Sequence, residues 1–394
     1  MLKSADALAA AGHSVRVVAT RHVPWAVDAD ADVRSRRTWP LTVVDYRRGA
    51  GATYWISGAR YRAARALSAA VGPARVPLGL AAGAFGRVHP ELVRAASAEP
   101  ADLIYGGTTG ALAAVAVAAR RCGARYALDL EDFHSGESEA PDHELSHGLA
   151  RRIEDRILKG ATFLTASSEG IADAYTDTYG VVPNVIHNTF DLPRRVPDFS
   201  RARPDLLRLY WFSQTIGAGR GLEDAITAMG IAGVPGELTL RGRPVPGYLD
   251  GLTRLASECA PRLHLIHEPP APPDAMVDLS RGYDVGLALE QVQVRNHEIA
   301  QSNKLFTYLL AGNAIAMTDT PGQHALGVDV GAAAGLVPPG DVGALASVLA
   351  RWAAEPNVLD AARRAAWDAA RRRWHWQHED ERGLLYRLVG EAVP

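Results

Sequence analysis

Cysteine is nearly missing from this chain: Cys122 and Cys259 are its two thiols, and neither sits in a CxxC pair. A disulfide framework is therefore excluded, and a reducing compartment fits. No run of about 18 apolar residues occurs, so no membrane-spanning helix is expected and any membrane contact would be peripheral. Charge of either sign is not in excess either. The net value of −2 gives no bulk attraction to nucleic acid, and the local cluster Arg371-Arg372-Arg373 reads as a solvated helix face. The opening Met1-Leu2-Lys3-Ser4-Ala5-Asp6 lacks the basic, apolar and cleavage regions of an export leader, which makes a cytoplasmic location the expectation.

What is present suits a globular α/β protein. A length of 394 residues exceeds the roughly 250–300 at which single cores stop growing, so two domains are expected. Residues 2–11 have helical apolar spacing and Gly12 stops them; Ser14 to Ala19 then reads as a strand. A strand and a Gly-rich turn normally precede such a first helix. Here that strand either lies upstream of Met1 or is dispensed with. Strands at 102–107, 125–130 and 162–166 alternate with helices at 109–121 and 144–159, the pattern of a doubly wound parallel sheet. The Pro, Arg and Asp-rich stretch around Pro193, Pro197 and Pro204 breaks every periodicity. It divides a first domain, 1–192, from a second, 206–373, across a linker at 193–205. The second half repeats the plan, with strands at 207–212, 238–242, 263–267, 285–289 and 314–318, and a closing amphipathic helix expected from Trp374 to Val389.

One segment stands apart: Ser302-Asn303-Lys304-Leu305-Phe306-Thr307-Tyr308-Leu309-Leu310-Ala311-Gly312. A polar start, an apolar run and a terminal Gly predict a capped helix whose free N–H groups and one lysine face the same way, which makes an anion site. An ordinary capped core helix is the plainer alternative.

The segment also resembles the "P-N-K-L-F-E-Y-x-A-A-G-x-P-V" signature of family-4 glycosyltransferases with the GT-B fold. Ala9-Ala10-Ala11-Gly12-His13-Ser14-Val15 is similar to the family's opening "L-A-x-x-G-H-x-V", and Ala166-Ser167-Ser168-Glu169-Gly170-Ile171 to its "T-V-S-E-G-I". Val185-Ile186-His187-Asn188 resembles "V-I-P-N", and Phe212 to Glu223 resembles "Y-x-G-R-L-x-x-x-K-G-L-E". The resemblance implies two facing Rossmann-like domains and a donor, a nucleotide diphosphate sugar, bound in the cleft mainly by the second domain. It further implies transfer to an acceptor with retention of configuration and without a required metal or other cofactor, and a last helix crossing back to the first domain. Breaking a sugar–phosphate bond develops negative charge on the departing diphosphate. By the resemblance, Arg220 and Lys304 supply the compensating cations, and alanine at either is expected to remove most turnover while leaving the fold intact. The donor side would comprise Ser213, Gln214, Gly217, Arg241, Arg243, Glu298, Ser302, Asn303, Leu305 and Thr307. The acceptor side would comprise Gly107, Glu131, Asp132 and His134, at strand ends where open α/β sheets bind ligands. For Arg241 and Arg243 a salt bridge is the stronger competing reading.

Three departures from the family pattern matter. Gln214 stands where an arginine is usual, Thr307 where the ribose-binding glutamate is usual, and Glu131 where a strand-end histidine is usual. A literal E-x7-E at Glu290 and Glu298 is out of register with Asn303-Lys304 and is read as coincidence. The departures motivate a second reading, a catalytically weak or inactive protein that binds nucleotide sugars. A third is a zinc hydrolase, because His143-Glu144-Leu145-Ser146-His147 matches HExxH. No third ligand follows at the usual spacing, and a surface helix is the better reading. Asp28-Ala29-Asp30-Ala31-Asp32 likewise reads as an acidic loop rather than a metal-binding D-x-D.

Overall fold

The computed structural model describes residues 1–23, 27, 34–108, 110–136, 144–199 and 206–393. They form two compact units: Met1–His187 with Val294–Asn296 and Arg382–Pro394, and Asn188–Gln293 with His297–Glu381. Asp28 to Asp32, His143 and most of the expected linker's second half lie outside the described residues.

In the first unit Val17–Arg21 (β1) pairs in parallel with Leu41–Asp45 (β2). A separate parallel sheet runs in the order Leu103–Gly107 (β3), Arg125–Leu130 (β4), Phe163–Ala166 (β5) and Asn184–Val185 (β6). No strand joins β1 to β3 among the described residues, yet Val18, Val44 and Ile104 from the two sheets pack on one apolar cluster of Val88, Leu92, Val93, Ala114 and Ala118. Every residue of β5 is buried, as expected of a parallel strand covered on both faces. Ser168 accepts a hydrogen bond from the Ile171 amide and so caps the helix Glu169–Tyr179.

The helix expected from Trp374 begins instead at Glu379, as a π-helical turn Glu379–Gly383 that continues into the α-helix Leu384–Ala392. Upstream of it, side chains hold the backbone out of a regular helix. Trp374 donates to Asp329 at 2.7 Å, and Arg373 pairs with the buried Glu381 at 2.7 Å. Within the first unit, the last helix is tied by Tyr386, which donates to the Ala7 carbonyl, and by Arg125, which donates to that of Ala392.

The second unit is a six-stranded, all-parallel sheet. It includes Leu207–Ile216 (β7), Gly236–Pro244 (β8), Leu263–Glu268 (β9), Val285–Ala288 (β10), Ala314–Thr318 (β11) and Ala334–Val337 (β12), in the order β12-β11-β10-β7-β8-β9. The chain winds outward from β7 through β8 and β9, then returns to the other side of β7 as β10. The reversal between β7 and β10 is the topological switch point, where open α/β sheets leave a crevice at their strand C-termini. Gly286 in β10 makes room for the helix Asn303–Ala311: an added Cβ would lie 2.2–2.4 Å from three ring carbons of Tyr308. That ring has no retreat, because its hydroxyl sits 3.2 Å from the carbonyls of Tyr210 and Leu287. We expect Gly286→Ala to destabilise the protein by about 2–3 kcal/mol through overpacking, measured as a lower urea midpoint with an unchanged slope.

Candidate functional site

The switch point of the second unit gathers a compact charged cluster. Arg220 follows β7, Glu290 follows β10, and Ser302 and Lys304 open the helix Asn303–Ala311. Glu290 is the hub. Its carboxylate accepts from Lys304 Nζ at 2.6 Å and Ser302 Oγ at 3.0 Å on one oxygen, and from Arg220 at 3.4 Å on the other. The side chains of Glu290 and Lys304 are 14% and 11% exposed, whereas that of Arg220 is 39% exposed. Burial alone would raise the Glu290 carboxyl, but Lys304, Arg220 and Ser302 outweigh it and hold the group down at about 2. Lys304 also lies 5.8 Å above the ring of the buried Trp211.

Local backbone geometry makes this meeting possible. Gly221 adopts φ +67°, and a Cβ there would meet Leu289 at 2.5 Å, so the turn bearing Arg220 approaches the end of β10 as only glycine allows. Thr318 Oγ1 donates to the Glu290 carbonyl at 2.9 Å and fixes that backbone from the β11 side. Ser302 occupies the N-cap position but makes no side-chain cap; its hydroxyl is turned to donate to Glu290 instead. The helix N-terminus beside Lys304 thus keeps amides available to an anion.

The remaining expected donor-side residues scatter around this cluster. Ser213 and Gln214 occupy a register shift in the β7–β8 pairing, with Gln214 exposed, and Gly217 follows at the strand end. Asn303 and Arg243 are exposed, and Glu298 is half-buried. Leu305 and Thr307 are both fully buried, and among the described residues the Thr307 hydroxyl has no partner. Arg241 is occupied within the core, donating to the Tyr210 hydroxyl and the Pro269 carbonyl at 2.8 Å each and lying 3.6 Å from Glu268. Its surroundings are those of a structural arginine.

In the first unit Glu131, Asp132 and His134 share the loop after β4, and Gly107 ends the neighbouring β3, where a Cβ would meet the Asp129 carbonyl at 2.8 Å. The loop is braced from beneath. Tyr175 Oη lies 2.7 Å from Glu154 and 3.1 Å from the Asp132 carbonyl, and Tyr179 donates to the other Glu154 oxygen at 2.5 Å. Burial raises the Glu154 carboxyl above its ordinary range despite these hydroxyls. A raised carboxyl favours the folded state at low pH, and that contribution fades as pH rises past the unfolded value. Asn296 completes the loop by accepting from the Phe133 amide at 2.8 Å and donating to Asp132 at 2.9 Å. Glu131 reaches solvent, and its carboxyl is raised, first by surrounding protein and then by Asp129.

Glu290, Asn296 and Glu154 were not among the expected site residues. The E-x7-E spacing was the sequence signal for Glu290; nothing local marks the other two. For the HExxH segment, Glu144 is exposed at the start of the helix Glu144–Ile157, the rest of that turn is half-buried, and no group of three potential metal ligands occurs among the described residues. No helix among them is long and apolar enough to cross a membrane.

Two units built on parallel sheets give the chain the GT-B fold. The first unit is more specific: residues 1–189 match the glycosyl transferase 4-like domain. No curated protein matches the chain by sequence. Among solved structures, Anabaena Alr3699/HepE in complex with UDP is similar with a TM-score of 0.62 and 15% identity, over 96% of this chain and 99% of that one. A Rickettsia africae glycosyltransferase has a TM-score of 0.63 at 9% identity over 98% and 93%. Sucrose-phosphate synthase from Thermosynechococcus elongatus has a TM-score of 0.62 at 13% identity over 96% and 100%.

Proposed function

We propose that the protein transfers a sugar from a nucleotide diphosphate to an acceptor, with retention of configuration and in the cytoplasm. The observation that carries this reading is the convergence of Lys304 and Arg220 on Glu290 at the β7–β10 switch point, beside the N-terminus of the helix Asn303–Ala311. As the glycosyl C1–O bond breaks, the bonding pair stays with the β-phosphate oxygen. The two cations and the open amides are suited to meet that charge. In the ligand-free protein the carboxylate of Glu290 holds both cations at the switch point. Glu131, with its raised carboxyl, is suited to take the proton of an acceptor hydroxyl, and Asp132 to hold neighbouring hydroxyls. UDP is the nucleotide to expect, since the HepE structure holds it.

A weak or inactive nucleotide-sugar binder is the second reading, favoured by the sealed Thr307 hydroxyl and by Gln214 in place of a cation. Thermal denaturation against UDP-, GDP- and TDP-sugars tests the first step of both. A ligand at 100 times its Kd adds about 2.7 kcal/mol and raises the midpoint by several degrees. A selective shift with a UDP-sugar, followed by release of UDP when acceptors are supplied, is the expected result. A shift without turnover on any acceptor favours the binder. No shift with any sugar nucleotide overturns both readings.

A further inference from the structure

The helix Ala52–Val71 in the first unit is built inside out. Its buried positions are Ser57, Gly58, Ala64 and Ser68, while Trp55, Ile56, Leu67 and Val71 are exposed at 69%, 59%, 57% and 45%. Between these large side chains the exposed arc continues with Ala59, Ala63, Ala66 and Ala70. An exposed apolar face of this length is unusual on a soluble monomer and marks an interaction surface. The inner face explains how the helix stays docked with so little apolar contact. Arg87 donates to Ser57 Oγ at 3.0 Å and to the Tyr54 carbonyl, its guanidinium lies 4.5 Å from the centre of the Tyr54 ring, and Arg60 pairs with Glu91 at 2.6 Å. Polar anchoring from behind leaves Trp55 and Ile56 pointing outward.

Charge identifies the partner. From Tyr46 to Pro90 the chain carries seven arginines and no Asp or Glu, although the whole protein is nearly neutral. Arg48, Arg62 and Arg75 are exposed and have no acidic partner among the described residues. A continuous apolar face with tryptophan at one end and unpaired arginines around it has the composition of a helix lying in the headgroup region of an anionic bilayer. A second copy of this chain fits worse, because a two-fold contact would set this net-positive region against itself.

We propose that the helix Ala52–Val71 seats the first unit on an anionic lipid surface, with Trp55, Ile56, Leu67 and Val71 entering the acyl boundary and Arg48, Arg62 and Arg75 pairing with lipid phosphates. This inference does not depend on the transferase reading.

Co-sedimentation of the full chain with phosphatidylcholine vesicles, with and without phosphatidylglycerol, tests it. The expected result is binding to the anionic vesicles that weakens with salt, with little binding to pure phosphatidylcholine. Arg62→Glu should weaken it by at least about fivefold, the contribution of one basic side chain near such a surface. Trp55→Ser with Ile56→Ser should lower partitioning by tenfold or more while leaving the thermal midpoint unchanged, since both side chains are exposed. Absence of binding to anionic vesicles, or equal binding by the double variant, overturns the proposal. Self-association of the wild-type chain without lipid, abolished by the same double variant, overturns it in favour of a second copy.

Discussion

Lys304→Ala is expected to reduce turnover by about two to three orders of magnitude, the effect of removing one preorganised charge from a site where negative charge develops. It is also expected to lower stability, which reading the residue as a free cation on a helix end does not anticipate. The lysine is a buried partner of a buried carboxylate, 2.6 Å away. Breaking such a pair from one side costs about 3–5 kcal/mol, because the remaining charge is left in the interior. Arg220 and Ser302 still contact Glu290, so the lower end of that range applies. Arg220→Ala should behave differently. Its side chain is 39% exposed, and exposed ion pairs contribute about 0–1 kcal/mol, so turnover should fall with the midpoint nearly unchanged. A Glu290→Gln, Lys304→Met double variant separates the two roles of Lys304. Removing both charges should recover most of the stability without recovering turnover. Urea denaturation and single-turnover rates on the three variants check this. Normal turnover in Lys304→Ala would end its assignment to the leaving diphosphate.

The sheets of this protein were legible because buried parallel strands announce themselves as apolar runs between glycines. Val285–Ala288 and Ala314–Thr318 are buried along their whole length and read as strands without any partner information. The start of the helix Asn303–Ala311 was legible from its polar-to-apolar change and terminal Gly312. The hub of the site was not. Glu290 lies 14 positions before Lys304, across a chain reversal between β10 and the helix. The family's E-x7-E spacing, counted back from Thr307, lands instead on Ile299, which is buried. What brings Glu290 to Lys304 is the order of β7, β10 and β11 in the sheet, and pairing order is not written in any local spacing. The same holds for Ser302, whose hydroxyl was expected to cap its own helix and instead answers a carboxylate from another loop. Arg241, for which a salt bridge was the stronger reading, lies 3.6 Å from Glu268, but its closer partners, the Tyr210 hydroxyl and the Pro269 carbonyl, are contacts that no periodicity reveals. Trp374 to His378 misled for a related reason, since Asp329 draws Trp374 into a local structure that amphipathic spacing alone reads as helix.

Glu290→Gln should change acid stability and ligand affinity in opposite senses. With its carboxyl held at about 2 rather than the ordinary 4.5, Glu290 stabilises the folded protein above the unfolded value, and that contribution disappears as pH falls from about 5 toward 2. A shift of this size corresponds to about 3 kcal/mol at neutral pH. The glutamine variant should therefore be less stable than the wild type at pH 7, and the difference should shrink steadily below pH 5. Glu154 titrates in the opposite sense in both proteins, so it cancels in the comparison. Affinity should move the other way. In the ligand-free protein a full negative charge occupies the space between two cations suited to a diphosphate, and an incoming phosphate must repel or displace it. Two charges about 6 Å apart at an effective dielectric of about 20 interact by about 3 kcal/mol, and glutamine removes that repulsion. Allowing for the orientation Lys304 loses with its partner, the Kd for UDP should fall about tenfold, read by calorimetry at pH 7. Weaker binding by the variant would mean that Glu290 acts by aiming Lys304 and Arg220 rather than by occupying their charge. Under the proposed function, either outcome makes the carboxylate dismissed by sequence register the group that governs how the two cations would meet a diphosphate.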